Sequence, residues 1–285
     1  TDSFEKSAAN GLRGFLGKHL SVDGMERLKA FGKYVLRGER SEGARYLMTH
    51  SFQKMQLEIL DNCDVFLPNA KTEMDQIAAH LGFRTDNYVV VPNAVDVASI
   101  KAAKEVESTG YERFSGWIVC IGRIDIRKNQ LNLIKAVEGS DYKVVFVGKK
   151  SPGHIEYANK VVSEIEANPN MEWIEQIPNE DIYKLCRECR VSVLPSWFET
   201  PGLVSLEAAA MGCNIVVSPK GTTRDYFGDS AFYCDVSSPS SIRAALDEAY
   251  GVNYDEVFGR KVITEYTWEK AAEKTLDGYQ LALKG

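Results

Sequence analysis

Residues 117–147, WIVCIGRIDIRKNQLNLIKAVEGSDYKVVFV, decide the fold. An apolar run, Trp117–Ile121, stops at Gly122; a polar loop follows; residues 129–138 carry helical spacing; a second apolar run, Lys143–Val147, closes the unit. The cores of the two runs, IVCI and VVFV, do not alternate with polar residues. That is the pattern of strands covered on both faces in a parallel sheet. The alternation continues downstream. Strands are expected at Glu172–Ile174, Val191–Leu194, Asn214–Val217 and Ala231–Tyr233, with helices at 154–167, 179–189, 203–212 and 239–250. Strands alternating with helices predict a doubly wound α/β domain over 115–265, whose ligands sit at the carboxyl ends of the strands.

Upstream the pattern is looser. Tyr46–Leu60 and Lys71–Leu81 read as helices, the second closed by Gly82. Val65–Leu67 and Tyr88–Val91 read as short strands. Residues 97–114 are polar, lack a strand period and read as a linker. Leu12, Phe15, Leu16 and Leu20 fall on one helical face, weakened by Gly11, Gly14 and Gly17. Met25, Leu28, Val35 and Leu36 form a second such face. Residues 1–60 hold 10 Lys+Arg and 7 Asp+Glu, a net of +3, whereas 61–285 hold 24 and 33, a net of −9. Two readings of this basic front stand. Its helices pack on the rest of a domain, or they form an amphipathic surface touching a membrane or a lipid-linked substrate.

Composition narrows the function classes. With 44% apolar and 26% charged residues the chain is globular, neither disordered nor a disulfide miniprotein. No apolar run approaches the roughly 20 residues of a membrane span. The net charge of −6 argues against nucleic acid as a partner but leaves room for a small anion held by one Arg and one Lys. Of the six cysteines, Cys120 and Cys213 read as buried small hydrophobes. Cys186 and Cys189 form a lone C-x-x-C with no second pair or histidines at zinc spacing. Nothing resembles a signal peptide, and the expectation is a reduced, cytoplasmic protein.

Three loops at strand ends carry the chemistry. Gly122-Arg123 and Lys128 follow the first strand, PSWFETPGLVSLEAAAMG (195–212) the fourth, and SPKGTTRDYFGD (218–229) the fifth. Neither a dinucleotide G-x-G-x-x-G after a strand nor a P-loop is present; GLRGFLG at 11–17 has the wrong spacing. Arg123 and Lys128 offer a fork and a point charge suited to a diphosphate. Pro201-Gly202 opens a helix whose first N–H groups face the same crevice, another place for phosphate. Gly221-Thr222-Thr223 either brings backbone close to a ligand or is an ordinary turn. Glu199 and Glu207 would repel phosphate and suit the hydroxyls of a sugar and a ribose.

These segments resemble retaining glycosyltransferases of family 4, which have the GT-B architecture. The signature is Glu, seven residues, Glu, here Glu199 and Glu207 within ETPGLVSLEAAAMG. IGRIDIRKNQLNLIKA (121–136), PNAVD (92–96, with Ala94 where glycine is usual), GTTRDYFGDSAFYCD (221–235) and YTWEKAAEKTLDGY (266–279) are similar to further family segments. The likeness covers about residues 60–285.

The resemblance implies a sugar-nucleotide donor. Arg123 and Lys128 would hold its diphosphate, Glu207 its ribose hydroxyls and Glu199 its sugar. Backbone of Gly202, Leu203 and Val204, with Gly122 and Thr222, would line the cradle, and Ile177 would meet the base. Catalysis would rest on Glu199, Arg123 and Lys128, with front-face transfer and retention. No Asp-x-Asp occurs, so neither a metal nor any other cofactor is expected. The acceptor would be a glycan or a lipid-linked molecule. The implied organisation is a partial acceptor-side domain (1–96), a linker (97–114), the Rossmann-like donor domain (115–265) and a C-terminal helix (266–285) packing back on the N-terminal part. The opening strands and glycine-rich loop of the family's first domain have no counterpart here. His19 is a loose stand-in for the histidine that domain supplies; His50, His80 and His154 read as helix-face residues. Two alternatives stay open: a nucleotide-sugar binding module without catalysis, and a hydrolase using the two glutamates as acid and base.

Overall fold

The computed structural model describes residues 22–36, 38 and 41–284. The chain divides into two units, one of residues up to Phe66 with Met74–Tyr88 and Gly278–Gly285, the other of Leu67–Glu73 and Val89–Asp277. The helical face of Leu12, Phe15, Leu16 and Leu20, and His19, lie outside the described residues.

The front of the chain is helical: α1 (Val22–Leu36), α2 (Glu42–Thr49), α3 (Phe52–Asp61) and α4 (Lys71–Leu81). Where one helix was expected over 46–60, Ser51 interrupts. Its backbone is extended, and its hydroxyl accepts the N–H of Lys54, which starts α3. The two expected strands of this region reduce to a single bridge, Phe66 to Tyr88. Apolar β-branched residues alone do not make a strand when no neighbouring strand is there to complete the ladder.

The polar stretch 97–114 is not an open linker. It holds α5 (Val97–Glu105), capped by Asp96 through the N–H of Ser99 at 3.0 Å. Ile100, Ala103 and Phe114 are buried. A helix with so narrow an apolar stripe reads as polar because most of its surface faces water.

The second unit then alternates as expected: β1 (Ile118–Ile121), α6 (Gln130–Val137), β2 (Val144–Val147), α7 (Ile155–Glu166), β3 (Met171–Ile174), α8 (Asn179–Glu188), β4 (Val191–Leu194), α9 (Leu203–Met211), β5 (Asn214–Val217), α10 (Thr223–Phe227) and β6 (Phe232–Tyr233). Helices α11 (Pro239–Gly251), α12 (Glu256–Glu265) and α13 (Trp268–Ala282) follow. The sheet is parallel throughout, in the order β3-β2-β1-β4-β5-β6.

Every residue of β1, β2, β4 and β5 is buried. Alternate residues serve two cores. Val119, Ile121, Val145, Val147 and Ile215 meet α8 and α9 residues such as Leu185, Leu206 and Ala209. Ile118, Cys120, Val144, Phe146 and Val216 meet α6, α7 and α11 residues such as Leu133, Val161 and Leu246. Sheet order reverses between β1 and β4, so their carboxyl ends diverge into a crevice. Among the described residues no helix is long and apolar enough to cross a membrane.

Candidate active site

The loop after β1 is shaped by its own side chains. Asp125 accepts the Lys128 N–H at 3.1 Å, and Gln130 donates to the Arg123 carbonyl at 2.9 Å. Asn129 takes a left-handed conformation, φ +61°, which asparagine tolerates better than most residues. Its buried amide donates to the carbonyls of Pro195 and Val236 at 3.1 and 2.8 Å. The Trp197 N–H donates to the Arg127 carbonyl at 2.9 Å. The loops after β1 and β4 are thereby clipped together at the point where sheet order reverses.

That clip makes an ion pair. The Lys128 Nζ donates to Glu199 Oε1 at 2.6 Å. An Arg127 Nη1 donates to the same oxygen at 3.0 Å and to the Phe198 carbonyl at 2.8 Å. The Lys128 and Glu199 side chains are only 12% and 8% exposed, against 37% for Arg127. Charges so far removed from water are sustained only by each other, and losing one partner leaves the other stranded. Gly122 lies under Lys128: a Cβ there would press its Cε at 3.3 Å.

The loop after β5 secures the backbone of Glu199. Thr222 N–H donates to the Glu199 carbonyl at 3.0 Å, and Glu199 bridges Gly221 in parallel. Gly221 has φ +94°, and a Cβ on it would collide with the Glu199 carbonyl. The Thr222 hydroxyl is fully buried and has no partner among the described residues, so Thr222 holds this loop through its backbone N–H. Gly202, at φ +80°, stands at the N-terminus of α9, where free N–H groups begin. Leu203 next to it is exposed, and Val204 and Ile177 are half-buried. Arg123 is exposed, and its guanidinium makes no hydrogen bond or ion pair with a described residue.

Glu207 has different surroundings. It lies further along α9 and, among the described residues, accepts one hydrogen bond, from the Tyr183 hydroxyl of α8 at 3.2 Å. Burial raises its pKa, the Tyr183 bond opposes this, and the charge of Asp96 raises it further. A carboxyl raised in the folded state contributes stability that is present at acid pH and lost as pH rises through the raised value. Ionised Glu207 thus works against the fold.

Sequence reasoning missed Arg127, Asn129 and Tyr183. Asn129 left a signal, an asparagine between two polar residues just before a helix. Tyr183 left none, because its partner stands 24 residues away.

Comparison with known proteins fits this arrangement. A family model described as glycosyl transferases group 1 matches residues 113–253. The chain carries a glycosyltransferase group 1 domain. It is similar to a D-inositol 3-phosphate glycosyltransferase of Paenarthrobacter aurescens, 25% identical over 264 residues, 87% of this chain and 63% of that protein. The chain therefore spans less than two thirds of that relative's length. The fold resembles a glycosyltransferase from Rickettsia africae, with TM-score 0.70 and 14% identity over 97% of this chain and 89% of the other. It also resembles a structure described as E. coli trehalose-6-phosphate bound with UDP-2-fluoro glucose, with TM-score 0.65 and 14% identity over 80% of this chain and 63% of the other. These neighbours are GT-B glycosyltransferases, the α/β class expected of the domain. Among the described residues no three His, Cys, Asp or Glu side chains are grouped to hold a metal ion.

Proposed function

We propose that this protein transfers a sugar from a nucleoside-diphosphate sugar to a glycan or lipid-linked acceptor, with retention and without a metal. The observation that carries the reading is the Lys128–Glu199 pair beside the N-terminus of α9, at the point where sheet order reverses. Lys128, Arg123 and the α9 N–H groups would stabilise the charge that grows on the leaving diphosphate. Glu199, oriented by Lys128 and Arg127, would hold the sugar, and Glu207 the ribose.

A panel of UDP, GDP, ADP, CMP and dTDP, with and without magnesium, tests the reading by thermal shift. A ligand at about 100 times its Kd adds roughly 2.7 kcal/mol. One diphosphate is expected to raise the Tm, indifferently to magnesium, and the shift is expected to shrink in Arg123→Ala. No shift with any nucleotide would overturn the donor site. Binding of a diphosphate without turnover of its sugar conjugates would leave a binding module instead.

On the acceptor side, the reading includes a peripheral contact with a membrane from the cytoplasmic face. Its support is α1, where Leu28, Phe31 and Val35 recur at helical spacing and are 45%, 55% and 57% exposed. Arg27, Lys29 and Lys33 flank them, and an apolar face edged by cations suits an anionic lipid surface. Binding to vesicles containing phosphatidylserine is expected, weakened by salt and lost in Phe31→Glu. Retention of Phe31→Glu on those vesicles would sink this contact. Six free cysteines, five of them buried, accord with a reducing compartment.

A further inference from the structure

Three helices of the second unit converge on one tyrosine. Tyr183 lies on α8, Glu207 on α9, and Asp96 caps α5, and these helices pack against one another. The Tyr183 side chain belongs to the core and is only 7% exposed. Its hydroxyl has one proton and two carboxylates within electrostatic reach, Glu207 and Asp96. It gives the proton to Glu207 Oε1. Asp96 has other donors, the N–H and hydroxyl of Ser99 at 3.0 and 2.7 Å. Among the described residues Glu207 has no second donor, and its other oxygen, Oε2, accepts nothing. A half-buried carboxylate beside a like charge, fixed at one oxygen and open at the other, is arranged to receive hydroxyl donors from a ligand.

We propose that Tyr183 is a positioning residue for the donor: its hydroxyl holds Glu207 Oε1 so that Oε2 meets the vicinal hydroxyls of the nucleotide's ribose. This rests on the donor-site reading above. The aromatic ring, locked in the core, gives the hydroxyl a fixed origin that a flexible side chain would not. The bond also favours the ionised form of Glu207 against the burial and the Asp96 charge that oppose it. The other titratable group facing Tyr183 is Cys186, on its own helix. The tyrosine therefore does two things at once: it orients the carboxylate, and it keeps it charged at a pH where it would otherwise take up a proton.

UDP, GDP and ADP, each beside its 2′,3′-dideoxy counterpart, are titrated calorimetrically against wild type and Tyr183→Phe between pH 5 and 8. Wild type is expected to prefer one ribose nucleotide over its dideoxy form. In Tyr183→Phe that preference is expected to fall about tenfold, the scale of one hydrogen bond to a charged group. Affinity for the dideoxy form should stay unchanged. The pH below which binding is lost should move upward, because the ionised carboxylate has lost its only donor. A structural role alone would weaken both nucleotides equally and leave the pH profile in place. Combination with Glu207→Ala gives a second handle: in that background Tyr183→Phe should change nothing further. Unchanged ribose preference and unchanged pH profile in Tyr183→Phe would overturn the proposal while leaving the donor site standing. Failure of wild type to bind any of the three nucleotides would overturn both.

Discussion

Lys128→Ala is expected to lower the rate of the proposed sugar transfer by on the order of 10²–10³, the range for removing one preorganised donor of charge stabilisation. Two losses combine. The ammonium that would meet the leaving diphosphate is gone. Glu199, 8% exposed, then keeps only Arg127, whose half-open side chain also serves the Phe198 carbonyl. A buried carboxylate with a weakened partner shifts away from its place. Lys128→Arg is not expected to restore the rate. The lysine stem lies directly over Gly122, and a guanidinium fork has a different reach and shape. The measurement is steady-state release of nucleotide from the donor whose diphosphate stabilises the protein. A Lys128→Ala enzyme as fast as wild type would remove this residue from the chemistry.

Gly221→Ala is expected to lower the Tm by roughly 5–10 °C, the effect of a few kcal/mol of local strain in a protein of this size. The backbone there has φ +94°, costly for any L side chain, and the new methyl would collide with the carbonyl of Glu199. The loop cannot yield without parting the Thr222–Glu199 hydrogen bond. Nucleotide binding should therefore fall together with stability. Gly212→Ala is the control. Its φ is +110°, but nothing lies within 4 Å of the added Cβ, so only backbone strain is introduced and donor binding persists. Calorimetric melting with and without diphosphate separates the two. Equal losses in both variants would show that contact with Glu199 is immaterial.

Both expectations depend on loops that were found from sequence but not shaped by it. Lys128, Glu199 and Gly221 were legible because each follows a strand end in an alternating α/β pattern, where ligands bind. The ion pair was not legible. It depends on β1 and β4 being neighbours although two strands separate them in the chain, and on Asn129 clipping one loop to the other. Arg127 was overlooked for the same reason, since its partners lie 71 and 72 residues away.

The sequence by itself determined the local elements of the second unit. All six strands, the four helices between β1 and β5 and the helix after β6 stand within a residue or two of expectation, because burial on both faces leaves an unbroken apolar run and helices show their period; the five-residue α10 was too short to show one. It also pointed to the three loops on which the proposed donor site rests. Tertiary structure alone decided that 97–114 is folded rather than open and that the front strands shrink to one bridge. It decided too that the Thr222 N–H meets the Glu199 carbonyl, and that Tyr183 meets Glu207. In each case the deciding partner is remote in the chain. Local propensity and pattern record what a residue prefers near itself, whereas burial and hydrogen-bond pairing depend on what the fold brings beside it.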